Sequence, residues 1–482
     1  MRELHYLDVG AIAVYFLILF LVGYFTMRSK TEGKETESFL AADRNMNLFQ
    51  TTSTTAAGDI GGGFSIAMGG LGFTLGFSAT WLVGMSALSI VLVSFFMVPK
   101  VKRWADKMQG LTTGDLFSQR FDEKTGTVAA IVIGLAWLAF VGGQIMAGGK
   151  LLEVTMGVDQ TPAILVIGTI IVAYTAMGGL KAVIYTDVFQ MVVLMVGILL
   201  ILVPLGLIEV GGWNVMIDTL SSNPETESML DWTAAGWKQI LGWFFAVIPI
   251  WFISVVGLQR IVAARDVKTA QRAFFLTGIP LEWPLFAIGS ALVGINARIL
   301  LPELSDPEMA TPMMIMTLLP IGLGGLVIAS YIAIVMSTAD SCLIGPVAII
   351  TKDIYKKYLK PDASQSDMIR FARITTIILG IGTIAGAFLV PNIFDLIIYA
   401  YTFGAAGIFF PMLGLLFWKR TTATGAFWSI ILGGTSAVIW TVAGEPMGFA
   451  SSYIGWAISL PVLVIVSLVT KHSPEEDLET FY

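Results

Sequence analysis

Apolar stretches of bilayer-spanning length dominate this chain. They run over 8–28, 46–75, 77–99, 126–149, 161–178, 187–208, 238–257, 273–295, 311–345, 371–390, 393–418, 424–441 and 450–470. About 20 such residues cross the hydrocarbon core as a helix, and backbone in lipid must satisfy its own hydrogen bonds. The expected fold class is therefore an all-α integral membrane protein with thirteen transmembrane helices. Only 13% of the 482 residues are charged, roughly half the ~25% of a soluble domain, which excludes a soluble enzyme and a nucleic-acid binder. The single cysteine, Cys342, allows no internal disulfide, and the two histidines, His5 and His472, stand at the chain ends. Metal clusters and histidine acid–base chemistry are thus excluded from the interior. The sequence contains no phosphate-binding loop and no nucleophile elbow, so ATP-driven or hydrolytic chemistry, and with it any enzymatic cofactor, is not expected.

The loops sort by charge. All 28 Lys and Arg except Arg2, Lys150, Lys238 and Arg298 fall on one side of the thirteen-segment alternation, and basic loops face the cytoplasm. The expected placement is a multi-pass plasma-membrane protein with its N-terminus outside and its C-terminus cytoplasmic. The 209–237 loop, with Glu209, Asp218, Glu225, Glu227 and Asp231 and without Lys or Arg, suits the outside. The stretch Val9–Met27 is too long for a signal-peptide core and is followed by Arg28 and Lys30, so it reads as a retained anchor.

Two segments are interrupted. Asp59 precedes Ile60 and three consecutive glycines, Gly61, Gly62 and Gly63, and Pro249 stands within 238–257. Glycine and proline weaken helices, and irregular backbone at membrane depth must line a cavity or be buried in protein. Broken helices opening two five-helix blocks, 46–208 and 238–418, are the pattern of an inverted-repeat transporter of the LeuT type. An extra helix at 8–28 would precede this core, and two helices within 424–470 would follow it. The alternative is that the glycines serve close helix packing alone.

Ile334, Ser337, Thr338 and Ser341 share one stripe of a helix, with Asp340 adjacent. Hydroxyl and carboxylate oxygens are hard ligands suited to Na⁺, and unwound backbone at Ala57 and Ile60 could add carbonyls. The alternative for such hydroxyls is bonding to their own helix. Four carboxylates fall in or near apolar runs. Asp187 reads either as a helix cap or as functional, Glu282 as near an interface or paired with a basic residue, and Asp59 and Asp340 as functional. Phe140, Trp243, Phe244, Trp251 and Tyr401 lie on segments expected to line the centre, where converging rings could hold an amine.

These motifs resemble the sodium:solute symporter family over nearly the whole chain, nearest to its proline-type members. Ala57-Gly58-Asp59-Ile60, Gly178-Gly179 followed by Tyr185-Thr186-Asp187, Ala333 to Thr338, and Asp353-Ile354-Tyr355 occur in the family's order. The resemblance implies a single-protomer transporter in the lipid bilayer with Na⁺ as coupling ion. Its sodium site would comprise Ala57, Ile60, Ile334, Ser337 and Thr338. A second cation would lie at Asp187, Ser337, Asp340 and Ser341, where the carboxylate of Asp340 suits either a cation or a proton. Substrate would meet Asp59, Gly61, Gly62, Gly63 and the five aromatics. The family's proline-type tryptophan is missing from the glycine run, while Gly61 to Gly63 and Ser337 to Ser341 are similar to choline-type members. The favoured solute is a small amino acid such as proline. Choline, betaine or a carboxylate is the alternative, and a sodium-dependent sensor is a rival of another class.

Overall fold

The computed structural model describes residues 5–28, 35–389, 393–472 and 481, apart from the side chains of residues 27, 28, 35, 63, 64, 393–401 and 447. The described residues are helical throughout, with one isolated bridge, Met46 to Ala264, and no strand among them. Among the described residues, nine helical stretches are long and apolar enough to cross a membrane, or ten if a pair bent by 43° counts as one.

After α1 (Tyr6–Arg28), the chain forms a broken pair, α2 (Leu48–Asp59) and α3 (Gly62–Leu75), then α4 (Thr80–Phe96), α5 (Glu123–Met156) and α6 (Gln160–Leu194). The bent pair follows as α7 (Gly236–Phe252) and α8 (Val255–Ala263). Next, α9 (Val267–Leu276) runs through a π-helical stretch, Thr277–Ala287, into α10 (Ile288–Leu300). The rest are α11 (Ala310–Leu318), α12 (Leu323–Ile349), α13 (Gln365–Ala387), α14 (Ile393–Phe417), α15 (Ala423–Val442) and α16 (Ser451–Val469).

α12 is the axis of the fold, buried at every residue from Val327 to Ile349. A helix apolar all round belongs inside, and α12 carries Ser337, Thr338, Asp340 and Ser341 into that interior while α1, α2, α5 and α6 pack around it. α3 lies against α10 through small residues: a Cβ on Gly72 would stand 2.9 Å from Cα of Ala291, an approach only glycine permits. α15 and α16 pair with each other and dock on α14.

Two sequence boundaries move. The segments expected at 161–178 and 187–208 are continuous from Gln160 to Val210, with the change of direction compressed into Gly179 at φ 61°. The ring of Phe39 fills the space a side chain there would need, so glycine is required twice over. The second interruption lies beyond Pro249, because α7 continues to Phe252 before the chain breaks at Ile253 and Ser254. Proline removes one helical donor without ending the helix. The restart is set by the Ser254 hydroxyl, which accepts from Gly257 N at 2.9 Å as an N-cap.

Candidate functional site

The break between α2 and α3 is built by its hydrogen bonds. A capping box, Asn47 with Gln50, starts α2. At its end Ile60 (φ −71°, ψ 74°) and Gly61 (φ −84°, ψ 172°) leave the helical region. Gly61 N–H turns back to the Asp59 carbonyl at 2.7 Å, and Gly62 N–H donates to Gln144 Oε1 on α5 at 2.8 Å. The carbonyls of Ala57 and Gly58 thereby lose the donors four residues on that a continuous helix would supply.

Two hydroxyls from α12 converge on the first of these carbonyls. Ser337 Oγ donates to Ala57 O at 2.8 Å and Thr338 Oγ1 to the same oxygen at 3.1 Å, while Ser337 Oγ also lies 3.1 Å from the Ile334 carbonyl. Ala57, Ile334, Ser337 and Thr338 are thus one group of hard oxygens. Ile60 shapes the break beside them, its N–H held by Ala56 O at 2.9 Å. The lone pairs of these neutral oxygens suit a weakly polarising cation.

One turn further along α12 lies a charged centre. Asp187 of α6 and Asp340 and Ser341 of α12 are fully buried, and so is Arg260 of α8. Arg260 Nη2 stands 3.0 Å from Asp187 Oδ2 and 2.5 Å from Ser341 Oγ, and its Nε donates to Thr54 Oγ1 at 3.1 Å. Thr54 donates in turn to Asp187, and the Tyr174 hydroxyl to Asp340. Asp187 therefore sits inside the packing as half of an ion pair. The sequence pattern counts Arg260 among loop cations and reads Asp187 either as a helix cap or as functional; burial of both overturns the loop and cap readings. Ser337 belongs with Ala57, while Asp340 and Ser341 belong with this centre.

Asp59 begins a third cluster. Ser86 Oγ on α4 donates to its Oδ2 at 2.8 Å, and Trp251 Nε1 on α7 to its Oδ1 at 3.1 Å. Asp59 borders two small cavities of about 10 Å³ each, the second also lined by Trp137, Phe140 and Trp251. Phe140 and Trp251 thus join Asp59. Trp243 and Phe244 lie outside both linings, eight and seven residues before Trp251 and so about 12 and 10 Å along the helix. Gly61 and Gly62 stand at the turn, where a Cβ on Gly61 would meet Gln144 Oε1 at 2.8 Å and one on Gly62 would meet Val335 Cγ2 at 2.7 Å. Gly63 continues α3. The Tyr401 side chain lies outside the described residues.

The sequence model of the sodium:solute symporter family matches residues 39–433. The chain belongs to this family. As a sodium:solute symporter it is a multi-pass membrane transporter and not an enzyme, and Na⁺ is its coupling ion. Sodium/proline symporters of Staphylococcus aureus strains are 24% identical over 479 residues, covering 95% of this chain and 90% of theirs. Among solved structures, a Na⁺-coupled sialic acid symporter superposes with TM-score 0.81 at 20% identity, over 97% of this chain and 99% of that one. A nucleobase-cation-symport-1 family transporter gives 0.58 at 13% identity, over 92% and 97%. The symporter has the fold of these proteins.

Three residues of this interior escape the motifs. Gln144 holds the start of α3, Arg260 neutralises Asp187, and Glu282, read as near an interface or paired with a basic residue, is fully buried. The legible signal for each was a polar residue inside an otherwise apolar run, which in a membrane protein asks for a partner.

Proposed function

We propose that this symporter imports a small amino acid, proline first among the candidates, by sodium-driven alternating access. The observation that carries the reading is the convergence of the Ser337 and Thr338 hydroxyls on the Ala57 carbonyl, a carbonyl freed by the break. In this reading Na⁺ takes the place of the two hydroxyl donors at the Ala57 carbonyl, and Ser337 and Thr338 keep their protons, turn them aside and offer lone pairs instead. The ion takes the carbonyls of Ala57, Ile60 and Ile334 and the oxygens of Ser337 and Thr338, and so ties α2 to α12. A second cation, or a proton, belongs at Asp187, Ser337, Asp340 and Ser341. Solute binds at Asp59, Gly61, Gly62 and Gly63 under Phe140, Trp251, Trp243, Phe244 and Tyr401. Each ligand tightens the other by the same factor, as linkage requires.

The arrangement that serves this cycle is a LeuT-type core of two inverted five-helix repeats, 46–208 and 238–418, within thirteen crossings. The N-terminus lies outside and the C-terminus in the cytoplasm of the plasma membrane, and one protomer suffices for transport. The aromatic lining at Asp59 favours a second reading, choline or a betaine, by cation–π contact.

The test is uptake of labelled proline into proteoliposomes under an inward Na⁺ gradient, an inward Li⁺ gradient or none. Accumulation with Na⁺ alone is expected. Equal uptake in all three conditions would overturn the coupling. No proline uptake by a protein that Na⁺ stabilises against heat would overturn proline alone.

A further inference from the structure

A cavity far from Asp59 has no role in this transport scheme. It measures about 800 Å³, within the ~300–1,000 Å³ of small-molecule sites, whereas those beside Asp59 hold about 10 Å³ each, room for one water. Its walls are the short helix Glu35–Ala41, the kinked part of α6 at Met177 and Gly178, and the first turns of α13. Thr36 N donates to Gln365 Oε1 at 3.2 Å and so ties the first wall to the third.

The lining is basic. Lys181, Arg370 and Arg373 face the cavity, and among the described residues no carboxylate does. Lys181 is paired with Asp43 at 2.8 Å, whereas neither arginine takes part in an ion pair among the described residues. Arg373 Nη2 donates to the Met177 carbonyl at 3.1 Å, which holds the guanidinium in place, while its Nε is buried without an acceptor. Two guanidiniums three residues apart share one face of a helix, and their planar sets of N–H donors match a phosphate better than a point charge would.

An apolar stripe leads away from these cations. Ile374 and Ile377 line the cavity, and Ile378 and Ile381 continue the same face of α13; all four are between 45% and 62% exposed. α13 is long and apolar enough to span a bilayer, so this face meets acyl chains while the arginines lie toward its basic end, at headgroup level. A free phosphate would use the cations alone. A phosphate that carries acyl chains uses both features.

We propose that this cavity binds the phosphate of an anionic phospholipid, with an acyl chain laid along Ile374, Ile377, Ile378 and Ile381. A zwitterionic headgroup brings an ammonium that the cations repel, whereas a phosphoglycerol headgroup brings only the negative charge. The inference needs the bilayer and no part of the sodium or solute reading.

The test titrates delipidated full-length protein in detergent with dioleoyl phosphatidylglycerol, dioleoyl phosphatidylcholine and inorganic phosphate, and reads binding from the unfolding temperature. Phosphatidylglycerol is expected to bind about tenfold or more tightly than either of the others. Arg370→Gln is expected to weaken it about fivefold, and Arg370→Gln with Arg373→Gln about thirtyfold. Lys268→Gln with Arg272→Gln removes two exposed cations away from the cavity and is expected to leave binding unchanged. If loss of the Met177 contact keeps the double arginine variant from folding, Arg370→Gln decides alone, because its side chain is exposed. Equal binding of phosphatidylcholine, or unchanged affinity in Arg370→Gln, would overturn the proposal. So would an equal loss in the Lys268 and Arg272 variant, which would mean diffuse surface charge, and so would inorganic phosphate bound as tightly as the lipid, which would mean a site for the free ion.

Discussion

Two acidic centres share one buried core, and the chain equips them differently. Around Asp187 it supplies its own cation: Arg260 reaches in from α8, and Thr54 and Ser341 complete the contacts. Around Asp59 it supplies only neutral donors, Ser86 and Trp251. Asp187 thus meets a cation supplied by the fold, whereas the donors that reach Asp59 are uncharged.

The contrast breaks most sharply at Arg260. Arg260→Met leaves the Asp187 charge buried without its partner and is expected to cost about 3–5 kcal/mol of stability, seen as a lower unfolding temperature. Adding Asp187→Leu to that variant is expected to restore most of the loss, because an apolar pair can replace a buried ion pair. Failure of the double variant to recover would mean that Asp187 has a further partner of its own.

Ser337→Ala combined with Thr338→Ala addresses the site between the centres. Two hydroxyl contacts at about 1 kcal/mol each predict a loss of apparent Na⁺ affinity of roughly tenfold to thirtyfold, read from the Na⁺ dependence of uptake. Full-rate, sodium-independent uptake in this variant would refute its role in coupling. Gly62→Ala forces a methyl to within 2.9 Å of the Ala147 Cβ as well as against Val335, and overpacking of this kind costs about 1–3 kcal/mol. The unfolding temperature should fall, with Na⁺ affinity falling beside it as α3 shifts from Gln144. The smallest effect is expected outside both centres. Lys150 meets Glu308 at 2.5 Å and Asp306 at 3.5 Å, but both carboxylates are half exposed, so Lys150→Ala should change stability by less than about 1 kcal/mol.

What the sequence made legible were features whose cause is local. Long apolar runs, Asp59 beside three glycines and the stripe of Ser337, Thr338 and Ser341 each follow from spacing, and the break indeed falls at Ile60 and Gly61. Phe140 and Trp251 lie on the segments expected for them and meet at Asp59. What remained hidden was pairing across the fold. Arg260 looks like any basic residue of a loop until α8 turns it inward over a sequence distance of 73 residues to Asp187. Glu282 reads as near an interface or paired with a basic residue, yet the π-helical stretch that carries it holds it fully buried. Pro249 misplaced the second break because the restart depends on Ser254, a cap that apolarity does not signal.

Cys342 has a practical meaning that its chemistry alone would not suggest. It is the chain's only thiol, buried in α12 beside Ser341, in the helix on which the core turns. A water-borne alkylating reagent therefore has one address in this molecule and no path to it in the conformation described. Its labelling rate becomes a clock for how often the middle of the symporter meets water, one that needs no engineered probe, no knowledge of the solute and no radioactive tracer.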